Sequence, residues 1–136
     1  MKKKPGERWL KKNMLLIDAN AILRYILCDN ADMAEQVEIL LENNEVVVRN
    51  EVLAEVVYVL SKVYKLPRNE IYAVASQFLD LENVKTDDKP VVILALETFS
   101  QTGLDFVDTL LYSYHAIKGA EVFTFDKKLL SKMKNG

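Results

Sequence analysis

The stretch Met14-Leu15-Leu16-Ile17-Asp18-Ala19-Asn20 decides how the rest of the chain is read. Four apolar residues in succession, closed by an acid, predict a short strand buried on both faces rather than one side of a helix. Asn20–Leu27 then reads as a short helix. Ala31–Glu42, with Met33, Val37, Leu40 and Leu41 at helical spacing, reads as a second. Glu45–Arg49 carries Val46-Val47-Val48 and repeats the strand signal. Asn50 is placed to cap a helix running to about Tyr64, and Pro67 ends that segment. Asn69–Leu81 predicts another helix and Val84–Thr86 a short strand. Pro90 suits the first turn of a helix that reaches Gln101 and stops at Gly103. Asp105–Lys118 is helical, capped by Asp105 and closed by Gly119. Glu121–Phe125 predicts a further buried strand ending at Asp126, before a short last helix.

Strands that alternate with helices, each strand a continuous apolar run, imply a parallel sheet covered by helices on both faces. The expected architecture is therefore α/β, three layers of α/β/α around a central parallel sheet, in a single domain spanning 14–136. A length of 136 residues fits one such domain. Residues 1–13 hold six Lys/Arg and one acid without a clear period, and are expected to form a flexible basic extension. Met14 also reads as a start of its own. The extension carries +5, so residues 14–136 carry −7 within a total of −2. An acidic domain does not attract nucleic acid by simple electrostatics, so an RNA substrate would need bound cations. No apolar run is long enough to span a membrane, and polar residues follow Lys2-Lys3-Lys4 where a secretory signal would be apolar. The one cysteine, Cys28, has no internal disulfide partner. A reducing, cytoplasmic setting is expected.

Ligands of open parallel sheets gather beyond the carboxyl ends of the strands. Two expected strands end there in aspartate, Asp18 and Asp126. Each can also be read as a helix cap, with Asn20 and Thr124 as turn residues or outer hydrogen-bond partners. Glu55 stands beside Val52, Val56 and Val59 on an apolar stripe, where an unpaired glutamate is costly; solvent exposure is the other reading. Glu51, in the first turn, suits the helix dipole. Asp105 and Asp108 stand three apart at one helix start, as a cap and third-position acid would. Acids converging on one sheet edge would repel each other unless hard oxygen-loving cations such as Mg²⁺ or Mn²⁺ sat among them. His115 has no His or Cys partner and reads as packing. Trp9 lies in the basic extension. Lys127, Lys128, Lys132 and Lys134 read as a solvated helix face.

These segments resemble the motifs of PIN domains. Leu15-Leu16-Ile17-Asp18-Ala19-Asn20-Ala21-Ile22 is similar to the opening strand motif, and Val52-Leu53-Ala54-Glu55-Val56 to the internal helix with its acid. Gly103-Leu104-Asp105-Phe106-Val107-Asp108 and Phe123-Thr124-Phe125-Asp126-Lys127 resemble the third and fourth motifs. The four occur in family order across 14–130. Ala19 departs from the pattern, which commonly has Thr or Ser there. The resemblance implies that Asp18, Glu55, Asp108 and Asp126, with Asp105 as an occasional contributor, hold one or two Mg²⁺ or Mn²⁺ and hydrolyse RNA. It further implies a VapC-type toxin of a toxin–antitoxin pair, a homodimer, and a VapB-like antitoxin that covers the site. Competing readings are a non-catalytic PIN-like module that binds RNA or protein, and a haloacid-dehalogenase-like phosphoesterase. The latter wants an aspartate where Asn20 stands. A receiver domain wants an acidic pair at the first strand and a lysine after the last, and neither is found.

Overall fold

The computed structural model describes residues 14–136; the basic extension expected over 1–13 lies outside the described residues. The elements run β1 (Met14–Leu16), α1 (Ala19–Leu27), α2 (Ala31–Asn43), β2 (Glu45–Val48), α3 (Asn50–Lys62), α4 (Arg68–Leu79), β3 (Val84–Thr86), α5 (Lys89–Gln101), α6 (Phe106–Lys118) and α7 (Lys127–Asn135). The three strands form one parallel sheet in the order β1-β2-β3. Leu15 stands opposite Val46, and Val48 opposite Thr86. This is the mixed α/β class that alternating strand and helix signals imply. No helix among the described residues is long and apolar enough to cross a membrane.

Side-chain caps set several helix starts. Asn30 accepts from the Met33 amide (3.1 Å) at α2, and Asp88 from the Val91 amide (3.3 Å) at α5. Pro90 sits in the first turn of α5, where its missing N–H leaves no bond unmade. Asn50, expected as a cap, is instead the first residue of α3, and the residue at the cap position, Arg49, makes no side-chain cap bond. Its amide group is used at long range, donating to the Tyr114 hydroxyl (2.9 Å) and tying α3 to α6.

The main core joins Ile22 of α1, Val46 and Val48 of β2, Leu60 of α3, Ile71 of α4 and Leu96 of α5. A smaller cluster of Leu104, Tyr112 and Leu129 anchors α7, with Val122 and Met133 packed on it. Two expectations fail at the outer edge of the sheet. Met14 and Leu16 are each 69% exposed, so β1 is an edge strand and not a doubly covered one. The strand expected over Glu121–Phe125 does not form: Phe123 and Phe125 are 88% and 86% exposed and pack edge-to-face on each other, 5.2 Å apart. Local bonds hold that segment at its ends instead of a ladder. The Ala120 amide reaches the Tyr114 carbonyl (3.3 Å), His115 Nδ1 bonds the Ala120 carbonyl (2.9 Å), and the Asp126 amide donates to Thr124 Oγ1 (3.0 Å). His115 is thus a tether at the end of α6, in keeping with its structural reading.

Gly119 closes α6 in the left-handed region (φ 71°), its amide donating to the His115 carbonyl at 3.1 Å. A Cβ placed there meets nothing within 4 Å. Gly119→Ala should therefore cost about 1 kcal/mol through backbone strain alone. A urea midpoint unchanged from the parent would show that the turn relaxes out of that conformation.

Candidate active site

Asp18 follows the first strand and caps α1, its Oδ1 accepting from the Ala21 amide at 2.9 Å. Asp126 does the same for α7, accepting from the Leu129 amide at 2.8 Å. In each, one carboxylate oxygen serves the helix and the other stays available to a ligand, so capping and metal binding are compatible in the same residue. Asn20 is exposed and lines a groove with Asp18.

Asp105 and Asp108 stand at the start of α6. Asp105 occupies the cap position yet makes no side-chain cap bond, which corrects the capping-box reading. Its carboxylate is exposed, while Asp108, a turn further in, is half-buried. Burial pushes the Asp108 carboxyl above its ordinary range, and the negative charges of Asp126 and then Asp105 push it further the same way. The structure therefore brings Asp105 and Asp126 each within electrostatic reach of Asp108.

Glu55 departs from expectation. The buried stripe of α3 is Leu53, Val56, Val57 and Leu60, and Glu55 is exposed. At about 100° per residue, Val52 and Val59 flank that stripe, while Glu55 falls about 150° from its centre. Glu55 thus carries no burial penalty, and its role rests on its motif alone.

Two further features had no motif to announce them. Asp87 and Asp88 leave β3 at the same sheet edge, but both are paired. Asp87 binds Arg49 (3.2 Å) and the Asn50 amide (3.1 Å), and the Lys118 ammonium beside Asp88 (2.9 Å) holds its carboxyl below the usual range. These acids stitch the sheet to α3 and α6. Arg68, the first residue of α4, sends Nη1 to the carbonyls of Phe99 (3.0 Å), Thr102 (3.0 Å) and Leu104 (2.8 Å). Its guanidinium also lies 4.0 Å from the Phe99 ring centroid. Thr102 closes α5, not Gly103, and its Oγ1 accepts from the Leu104 amide at 3.2 Å. Arg68 thereby straps the turn that delivers Asp105 and Asp108. A cation in a first helical turn opposes the helix dipole, and that was the available sign of a specific partner.

The profile of the PIN domain family matches residues 15–135 of this chain. The chain belongs to the PIN domain family. No curated protein and no solved structure matches it. PIN domains are typically nucleases, and PIN nucleases generally use divalent metals.

The side chains of this PIN domain suit a hard dication in donor type, since the acids supply only oxygen and Asp108 resists ionising beside its neighbours. Their spacing does not suit it as it stands: among the described residues, no three metal-ligating side chains gather closely enough to hold an ion. The two findings agree physically. Charge repulsion acts over roughly 8–10 Å, whereas metal–oxygen bonds need about 2 Å.

Proposed function

We propose that this PIN domain is a metal-dependent endoribonuclease and the toxin component of a type II toxin–antitoxin pair. The observation that carries the reading is Asp108: half-buried at a helix start, its carboxyl pushed up by burial and by the charges of two further aspartates. Asp108 and Asp126 would hold Mg²⁺ or Mn²⁺ together with Asp18 and Glu55, with Asp105 contributing and Asn20 and Thr124 as outer partners. A cation held there would activate a water and offset the charge of the phosphodiester. The cap bonds of Asp18 and Asp126 fix each carboxylate's position before any ligand arrives.

Partners form part of the same proposal: RNA as substrate, a second copy in a homodimer, and a VapB-like antitoxin. A groove of about 420 Å³ beside Asp18, with Leu15, Leu16, Met33, Val37 and Leu40 in its walls, supports a protein partner at that end of the site. The open spacing of the carboxylates favours a second reading, a PIN-like module that binds without cutting. Incubating total cellular RNA with the purified protein separates the two. Cleavage is expected with Mn²⁺ or Mg²⁺, lost on adding a chelator and recovered when the metal is restored. RNA left intact under every metal condition would favour the binding module, and cleavage that survives chelation would sink the metal-dependent reading.

A further inference from the structure

Two cavities, of about 730 Å³ and 370 Å³, share Tyr25, Glu38 and Leu81 as walls and so form one groove across α1, α2 and α4. Its floor is apolar: Tyr25 of α1 packs edge-to-face on Phe78 of α4, ring centroids 5.7 Å apart, and Leu81 also lines it. Its rim is acidic. Glu35, Glu38 and Glu42 stand at helical spacing along α2, Glu82 precedes β3, and all four are exposed. No Lys or Arg among the described residues lines either cavity, and none of the five acids of the proposed nuclease site does. An apolar floor under a rim of carboxylates fits a segment that sets a large apolar side chain among cations. The chain carries such a segment. Residues 1–13 hold Trp9-Leu10 between Arg8 and Lys11-Lys12, and bring +5 in all. They join the fold near the groove. Met14 opens β1 opposite Glu45, and at the same end of the sheet the Val46 amide bonds the carbonyl of Asn83, a groove residue (2.8 Å). That end of the groove lies two strand spacings from Met14, about 10 Å. The five residues from Trp9 to Met14 can span up to about 17 Å.

We propose that this groove is an intramolecular docking site for residues 1–13, with Trp9 seated on Phe78 and Leu81 and the flanking lysines facing Glu38, Glu42 and Glu82. Composition alone assigns the segment no place in the fold; the groove supplies one. Seating Trp9 removes a large ring from water, and the lysines offset carboxylates that stand close together along one face of α2. The proposal is independent of the nuclease reading, because the two sites share no residue.

Trp9 is the only tryptophan in the chain, so its fluorescence reports on this segment alone. In the full chain at low salt, acrylamide should quench Trp9 several-fold more slowly than in the urea-unfolded chain. Rising NaCl should remove much of that protection, because exposed charge pairs are screened. The Glu38→Lys/Glu42→Lys double variant should move the ratio of docked to free segment roughly tenfold toward free, as two attractions become two repulsions. Glu97→Lys, an exposed charge reversal on α5 outside the groove, should leave quenching unchanged. The salt series is read on the parent chain, so it decides the matter even if the double variant folds poorly. Protection that grows with protein concentration would give the groove to a second copy's segment and overturn the intramolecular assignment. Quenching as fast as in the unfolded chain would overturn the proposal too, as would protection indifferent to salt and to both glutamates. An equal effect of Glu97→Lys would reduce the contact to general charge attraction and remove the groove from it.

Discussion

Asp108→Asn is expected to lower RNA cleavage by on the order of 10²-fold or more, yet leave the metal-free protein at least as stable as its parent near neutral pH. The side chain keeps its shape and loses the charge that Asp126 and Asp105 oppose. The pH dependence follows from the direction of the shift. Asp108 has a higher pKa folded than unfolded, so the native state holds its proton over a range in which the unfolded state has released it. Stability is full below the unfolded pKa, falls as pH rises through the window up to the folded value, and stays reduced above it. The parent's urea midpoint should therefore decline across that window, and the Asn variant's should decline less. At low pH the two curves should meet. Asp108 accepts no hydrogen bond among the described residues that asparagine would forfeit, so an ordinary first-turn penalty should not mask the gain. A variant that keeps its cleavage and loses stability at neutral pH would mark Asp108 as a plain structural acid.

Arg68→Met should cost about 2–4 kcal/mol, the largest stability effect expected from one surface-reaching side chain in this protein. Methionine fills most of the space over Phe99 but offers no donor to the carbonyls of Phe99, Thr102 and Leu104. The lower end of the range applies if water reaches those carbonyls, which are only partly buried. Arg68→Lys should recover part of the loss, because an ammonium can donate but lacks the planar face that lies over the ring. The turn strapped by Arg68 leads directly into Asp105 and Asp108, so cleavage should fall in the methionine variant even at temperatures where it is fully folded. Urea unfolding of both variants, with cleavage measured well below their melting points, checks this. A change within about 0.5 kcal/mol would mean that Arg68 merely decorates the surface.

Much of the fold was legible because its signals are local. Val46-Val47-Val48 has no helical period, Pro90 marks a helix start, and Gly119 marks a left-handed stop. Asp18 and Asp126 were legible as caps, and both are caps; the shared sheet edge holds for Asp18 alone, since no strand immediately precedes Asp126. The failures arise where the outcome depends on distant partners. Glu121–Phe125 has the composition of a strand, but a strand needs a ladder, and its end bonds go to Tyr114, His115 and Thr124 instead. Glu55 was misjudged by about one residue of helical phase: the core chose Leu53, Val56, Val57 and Leu60 as the inner stripe. Asn50 resembled a cap, yet its amide found Tyr114 sixty-four positions away. Arg68 serves acceptors thirty-one to thirty-six positions along the chain, and no local pattern encodes such a separation.

The central claim is that carboxylates from four separate segments share a divalent cation. Mn²⁺ titration of the ¹⁵N-labelled protein, read by paramagnetic broadening of its amide signals, tests it most directly. Sub-stoichiometric Mn²⁺ should first broaden the amides around Asp18, Glu55, Asp105–Asp108 and Asp126, and the Asp108→Asn variant should need much more metal for the same effect. Broadening spread over the exposed acids of α2, such as Glu35, Glu38 and Glu42, with no common centre and no response to Asp108→Asn, would contradict the account.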